Sequence, residues 1–274
     1  MTATNEGRAK YLHGYDEWTR EWMAQRTATR ELAFLVPHLR AGMRVLDCGC
    51  GPGSITVGLA EIVTPGEVVG VDIEPRQLEA ARTLAGGRGA RNLRFETGSI
   101  LALPFPDASF DVVVSHFVIE HLREPLPALR EVRRVLRPGG IAAIKDPYYP
   151  AFTFRPLIPE LVRIRELLAM ARAHLGVSDT YAPDLRARLL EAGFARTQAE
   201  AATETAAGGP GPLLLPLVLG NQLREPAFRD LAIAQGWTTA GELDTLAAAA
   251  AALGQRDDLF GFVVFVQALG WVAG

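Results

Sequence analysis

An α/β protein built on a doubly wound, parallel-type sheet is predicted by three features of the sequence. A short β-rich segment, Arg44-Val-Leu-Asp47, runs into the glycine turn Cys48-Gly-Cys-Gly-Pro-Gly53. A helical pattern follows from Ser54 to Ile62, and a second strand–helix unit comes next, Val68 to Val71 and then Pro75 to Leu84. Two such units in succession join neighbouring parallel strands by right-handed crossovers. Ahead of them, Trp18, Trp22, Met23, Leu32, Leu35 and Val36 recur near helical spacing between Tyr15 and Leu39, and Pro37 sits close to the end; one or two leading helices are expected. Pro65-Gly66 is the turn between the two units. Leu93 to Glu96 and Phe110 to Val114 read as the third and fourth strands. Leu126 to Leu136 puts Leu126, Leu129, Val132, Val135 and Leu136 on one face of a helix that Pro138-Gly139-Gly140 stops, and Ile141 to Ile144 is the fifth strand. There the alternation breaks. Pro156 to Leu175 and Pro183 to Ala192 both look helical, with little between them that pairs as a strand, which marks an insertion. Gly193-Phe194 through Thr203 is a sixth strand and Gly208-Gly-Pro-Gly-Pro212 a flexible connector. Leu213 to Gln235 and Ala240 to Leu253 are helices, and Phe260 to Val266, dense in Phe and Val, is the last strand. The run Ala247 to Ala252 reflects helix propensity rather than low complexity.

Composition narrows the function. With 28 basic against 31 acidic side chains, a net charge of -3 and 49% hydrophobic residues in 274, the chain is globular and carries no bulk attraction for nucleic acid, whose binding needs Lys and Arg to neutralise phosphates. A small-molecule partner is the better expectation. Cys48 and Cys50 stand too close in the chain to staple anything, no Cys/His cluster supplies four metal ligands, and a reduced cytoplasm suits both. Met1 to Lys10 lacks the apolar core of a secretory signal. The longest apolar stretches, Leu213 to Gly220 and Gly261 to Trp271, fall short of the roughly 20 residues of a membrane span.

The glycine turn points to a ligand. In Asp47-x-Gly49-x-Gly51-x-Gly53, three glycines fall where the chain turns sharply and where a ligand can meet bare backbone. Asp72 closes the second strand 19 residues beyond Gly53, the spacing at which doubly wound sheets place an acid on both ribose hydroxyls. The dinucleotide pattern Gly-x-Gly-x-x-Gly fails, because the third glycine position falls on Ser54 or Thr56. A nucleoside-type cofactor is what remains.

Val45-Leu-Asp-Cys-Gly-Cys-Gly-Pro-Gly53 resembles the first motif of class I S-adenosylmethionine-dependent methyltransferases, and Val68-Val-Gly-Val-Asp72 resembles their second strand. Leu103-Pro-Phe-Pro-Asp-Ala-Ser-Phe-Asp111, Glu120-His-Leu122 and Leu136-Arg-Pro-Gly-Gly140 follow in order and look like landmarks of the ubiquinone/menaquinone-biosynthesis-like (type 11) branch. The likeness is strong over about residues 40 to 150 and weaker at Tyr11-Leu-His-Gly14 and in the helical tail. It implies a Rossmann-like, seven-stranded sheet, mostly parallel with an antiparallel last strand, plus a helical insertion and lid. The expected organisation is a lid over 1–40, a cofactor-binding core over 41–150, a substrate-side insertion over 151–192, and the rest of the sheet with its helices over 193–274. The resemblance makes Asp47, Gly49, Cys50 and Gly51 the cradle of the methionine part of S-adenosylmethionine and puts Asp72 on the ribose. Ile73 and Gln77 would flank adenine, with Gly98, Ser99 and Ile100 beside it; many members carry Gly-Asp where this chain has Gly98-Ser99, so a hydroxyl replaces the carboxylate. Ser115 and His116 would border the cofactor, and Tyr11 and His13 would belong to the lid.

Methyl transfer from a sulfonium is an in-line displacement that demands alignment and exclusion of water more than any one catalytic group. A base helps where the acceptor is a phenol, enol or thiol. His116, just beyond the fourth strand's carboxyl end, is the candidate base, since ligands of open α/β sheets sit outside those ends. His13, His121, Tyr148 and Tyr149 are candidate substrate contacts, the tyrosines as stacking surfaces or as packing for the inserted helices. His38 and His174 read as packing or surface residues. Cys48 and Cys50 read as small turn residues, and Arg130, Arg133, Arg134 and Arg137 as a solvated helix face. The expected function is S-adenosylmethionine-dependent methylation of a small, largely apolar molecule, quinone-like or another secondary metabolite. The alternatives are a non-transfer reaction on the same fold or a non-catalytic cofactor-binding subunit; the assembly leaves room for a homodimer.

Overall fold

Strand β1 (Val45–Cys48) is buried at every residue, as a parallel strand covered on both faces must be. In the computed structural model, which describes residues 23–207 and 219–274, β1 lies between β2 (Val68–Asp72) and β4 (Phe110–His116), parallel to both. β3 (Leu93–Thr97) pairs with β2, and β5 (Leu136–Pro147) with β4, again in parallel. The long β8 (Phe260–Trp271) then runs antiparallel to β5, and β7 (Arg196–Ala207) lies antiparallel along the whole of β8's other edge.

Among the described residues the sheet has eight strands rather than seven. The extra one, β6 (Thr153–Arg155), falls at the start of the expected helical insertion over 151–192, ahead of its first helix, and pairs with Phe260 to Phe262. β5 leaves the same edge of β8 at Phe265, a 3-10 turn over Tyr149–Ala151 carries the chain outward, and β6 rejoins that edge. Three residues suffice because the partner strand is already in place.

Helix α1 (Ala28–Glu31) is capped by Thr27, whose Oγ1 accepts the Arg30 N–H at 3.3 Å, and a 3-10 turn over Val36–His38 follows; the described part of the leading segment is thus shorter and more broken than the spacing predicts. α2 (Ser54–Val63) and α1 pack on one face of the sheet against Val112, Val114 and Leu269. α3 (Pro75–Gly87) covers Phe95 beside them. α4 (Pro125–Val135) and α6 (Leu185–Glu191) cover the other face over Val113 and Ile144. A separate apolar cluster joins α5 (Pro159–His174), α7 (Pro226–Ala234) and α8 (Ala240–Leu253) to Phe152, Phe154, Val263 and Phe265. α8 carries the cap signature in its sequence: Thr239 Oγ1 accepts the Glu242 N–H at 3.2 Å.

Two further expectations change. α4 ends at Val135, before the Pro138-Gly139-Gly140 stop, because Leu136 is already extended and begins β5. The predicted helix from Leu213 to Gln235 is not continuous. Residues 219–222 are helical, the chain turns at Leu223-Arg224, and Pro226 opens α7, since proline's missing N–H is tolerated only in a first turn. The connector at 208–212 and residues 1–22 lie outside the described residues. Among the described residues no helix is long and apolar enough to cross a membrane.

Candidate active site

One cleft of about 340 Å³, within the range of small-molecule sites, opens outside the carboxyl ends of β1, β2 and β4. The three turn glycines divide the labour there. Gly49 (φ +72°) and Gly53 (φ +81°) are held by packing: a Cβ on Gly49 would come within 2.3 Å of Val118 Cγ2, and one on Gly53 within 2.8 Å of Ala81 Cβ. Gly51 (φ +52°) instead faces open space, its nearest neighbour being Met23 Sδ at 3.8 Å. Of the three, it is Gly51 whose bare backbone a ligand can approach without meeting a side chain.

Asp72, 8% exposed, holds this turn in place. Its Oδ2 accepts the Gly51 N–H and its Oδ1 the Glu74 N–H, both at 2.9 Å, which fixes the carboxylate at the rim of the cleft with lone pairs to spare. Burial raises its pKa against those two bonds. Beside it, Gln77 is buried with Oε1 unpartnered, and Ile73 stays 39% exposed, an unusual state for an aliphatic residue next to a core strand. A paired carboxylate, a buried unpartnered amide oxygen, an open apolar face and a Cβ-free turn together fit the adenosine part of S-adenosylmethionine.

Asp47 lies deeper. Thr56 Oγ1 donates to its Oδ2 at 2.7 Å, yet burial pushes its pKa up to about 6, with the nearby Asp72 charge adding to the rise. A raised carboxylate pKa favours the protonated form in the fold, so ionisation costs stability as pH climbs from about 4 through 6. Asp47→Asn is therefore expected to be about 2–3 kcal/mol more stable than wild type above pH 7, a margin that vanishes near pH 4; chemical denaturation at the two pH values checks it.

The other half of the cleft is aromatic and charged. Glu31, from α1, reaches the sheet and meets Lys145 Nζ at 2.8 Å and His116 Nε2 at 3.2 Å through its Oε2. Lys145 also lies 3.5 Å from Glu204, which pairs with Arg30 at 3.0 Å. Despite its burial, Glu31 is held below the usual carboxylate range by His116 and Lys145, whereas burial takes His116 down to about 4 and keeps it neutral near pH 7. The His116 ring stacks on Phe117 at 4.0 Å, and Phe117 on Phe265 at 5.2 Å. Phe117 has φ +58°, a costly backbone for a bulky residue and one that turns the ring into the cleft at the end of β4. Opposite, Tyr149 donates to Glu120 Oε2 at 2.5 Å.

The structure brings together Asp47, Gly49, Cys50, Gly51, Asp72, Ile73, Gln77, Gly98, Ser99, Ile100, His116, His121 and Tyr149, all at the cleft wall. Ser99 Oγ accepts the Leu101 N–H at 3.2 Å, so part of its capacity is spent locally. Two expected contacts fall elsewhere. Ser115 is buried behind the wall with an unpartnered hydroxyl, because alternate residues of β4 face opposite sides of the sheet and His116 takes the cleft side. Tyr148 packs against the sheet core with Leu101 and Val118, while its neighbour Tyr149 takes the cleft position. Tyr11 and His13 lie outside the described residues. Sequence reasoning missed Glu31, Phe117, Glu120, Lys145 and Glu204; a Lys-Asp pair inside the otherwise apolar Ile141–Pro147 run was the available signal, since charge in a two-sided buried strand needs a partner.

A profile of the family described as a methyltransferase domain matches residues 39–181. An uncharacterized methyltransferase of Schizosaccharomyces pombe is 39% identical over 143 residues, 50% of this chain and 51% of that protein. The ubiquinone/menaquinone biosynthesis C-methyltransferase UbiE of Ectopseudomonas mendocina is 36% identical over 177 residues, 58% of this chain and 67% of that protein. Among solved structures, the YcgJ protein of Bacillus subtilis superposes with a TM-score of 0.61 at 21% identity, covering 89% of this chain and 99% of that one. The chain spans about half the length of several curated relatives it matches.

Proposed function

The chain belongs to the methyltransferase-domain family, in the ubiquinone/menaquinone-like branch of class I S-adenosylmethionine-dependent methyltransferases, and from that premise we propose that it methylates a small, largely apolar molecule, quinone-like or another secondary metabolite. One observation carries the reading: a single cleft joins a nucleoside-type cradle at Gly51 and Asp72 to an aromatic wall at Phe117, Tyr149, Phe152 and Phe265. When bound, S-adenosylmethionine supplies an electrophilic methyl group on a sulfonium sulfur. The chain's own residues bind and align. Asp72 would accept hydrogen bonds from the ribose hydroxyls, Ile73 and Gln77 would flank the adenine with Gly98, Ser99 and Ile100 along its edge, and Asp47, Gly49, Cys50 and Gly51 would shape the methionine end; all of them line the cleft. The apolar rings keep water from the reacting atoms, the main demand of an in-line displacement. His116 and His121 border the acceptor side. Buried Cys48 and Cys50 fit a cytoplasmic setting, and a homodimer is the assembly to test by light scattering.

Calorimetry with S-adenosylmethionine and its demethylated product tests the cofactor half. Wild type is expected to bind both; Gly51→Val, which pushes a branched side chain into the cradle, is expected to bind at least about tenfold more weakly while losing only about 1–2 kcal/mol of stability to its left-handed backbone. Methyl-labelled cofactor incubated with metabolite extracts tests the acceptor half: label should appear in a small apolar product. Folded protein that binds neither form ends the proposal, and turnover without label in product shifts it to a non-transfer reaction.

A further inference from the structure

We propose that Glu120 and Tyr149, backed by Asp146, form a proton-accepting pair that serves a hydroxyl on a planar, ring-bearing acceptor; this deepens the methyltransferase reading of the same cleft and rests on it. Glu120 is 5% exposed, and among the described residues it has no Lys or Arg within ion-pair range; its ionic neighbour is His121 Nε2 at 3.8 Å. A carboxylate so poorly balanced is expensive to bury and is retained where something uses it. What it does hold is the Tyr149 hydroxyl, 2.5 Å away, and both side chains reach the cleft.

The Tyr149 proton is committed to Glu120, so the phenol oxygen presents lone pairs to the cleft and is an acceptor there. Behind the pair sits Asp146, wholly buried on β5, facing the Tyr181 hydroxyl and the N–H groups of Val118 and Glu120 without a well-formed hydrogen bond. Burial and the neighbouring Glu120 charge push the Asp146 pKa well up. The groups facing Glu120 are thus His121, Tyr149, Asp146 and Tyr181, with Arg172 beyond the Tyr149 ring and itself paired with Asp179.

An acceptor amine would also donate to this pair, but its cation would meet three cationic side chains already seated over the cleft's rings. Arg172 lies over Tyr149 at 4.1 Å, Arg26 over Phe117 at 4.8 Å and Lys145 over Phe265 at 4.7 Å. A neutral flat ring between these walls with its hydroxyl on Tyr149 fits better. His116 is the poorer proton acceptor, its Nε2 being turned to the ion-paired Glu31. In the step, the acceptor oxygen bonds to the methyl carbon as the carbon–sulfur bond breaks and leaves its electron pair on sulfur. The acceptor's proton passes to the Tyr149 oxygen while Tyr149 gives its own to Glu120, which becomes a carboxylic acid and returns the proton to water afterwards. Positive sulfonium and negative carboxylate are thereby both neutralised.

The test uses 4-nitrophenol as a chromophoric probe, added to the full chain loaded with S-adenosylhomocysteine and titrated by absorbance. Bound wild type should hold the probe as the neutral phenol, raising its pKa by at least about one unit, a tenfold shift of its protonation equilibrium. Glu120→Gln should abolish the shift, and Tyr149→Phe should weaken probe binding about tenfold, with circular dichroism showing both variants folded. A bound pKa equal in Glu120→Gln and wild type, no saturable binding of the probe, or tighter binding of benzylammonium than of the phenol overturns the proposal. Loss of S-adenosylhomocysteine binding in the same titration would instead overturn the cofactor reading and this inference with it.

Discussion

Asp72→Ala is expected to weaken S-adenosylmethionine binding by about two to four orders of magnitude, since it deletes two charge-assisted hydrogen bonds to ribose worth roughly 1.5–3 kcal/mol each. The loss has a second part. The Gly51 and Glu74 N–H groups both give their hydrogen to this carboxylate, so the variant also loosens the turn that shapes the cradle. Asp72→Asn separates the two effects: its amide keeps the size and one acceptor oxygen but not the charge, and an intermediate loss is expected. Calorimetry on protein shown folded by thermal melting gives both values. An Asp72→Ala affinity within about fivefold of wild type would detach the ribose from Asp72.

Lys145→Met is expected to destabilise the protein by about 3–5 kcal/mol at pH 8, because it strands Glu31, 6% exposed, without its ammonium partner. The deficit should shrink toward pH 5. Burial holds His116 near 4 in the wild type, but beside an uncompensated Glu31 the imidazolium becomes favourable and its folded pKa rises. A histidine whose folded pKa rises adds stability below the unfolded value near 6.5 and gives it up as pH climbs through the folded one. The double variant Glu31→Gln/Lys145→Met should recover most of the loss at pH 8, as removing both members of a buried pair costs far less than removing one. Denaturant unfolding at both pH values reads this out. An equal deficit at pH 5 and pH 8 would contradict the coupling of Glu31, Lys145 and His116.

The cofactor half of the cleft was legible because its chemistry is local in the chain. Gly49, Gly51 and Gly53 follow one strand directly, Asp72 ends the next, and both strands are continuous buried runs with the period change that marks strand, turn and helix. The structure refines this by showing that Gly49 and Gly53 answer to Val118 and Ala81, which lie 69 and 28 residues on and are invisible to spacing. The acceptor half was not legible for the same reason in stronger form. Glu31, His116, Lys145 and Glu204 come from a short helix and three strands, and no window of sequence contains two of them. Tyr148 and Tyr149 look equivalent in sequence, but the 3-10 turn at Tyr149–Ala151 sends one to the sheet core and the other to the cleft. β6 was hidden because three residues carry no period; its pairing exists only once β8 is in place.

A crystal structure of the protein with S-adenosylhomocysteine tests the central claim most directly. The account predicts ribose hydroxyls on the Asp72 carboxylate, adenine against Ile73 and Gln77, and the homocysteine chain crossing the bare backbone of Gly51. A ligand seated elsewhere, or a cradle closed by a side chain with Asp72 turned away from any ribose, would contradict it.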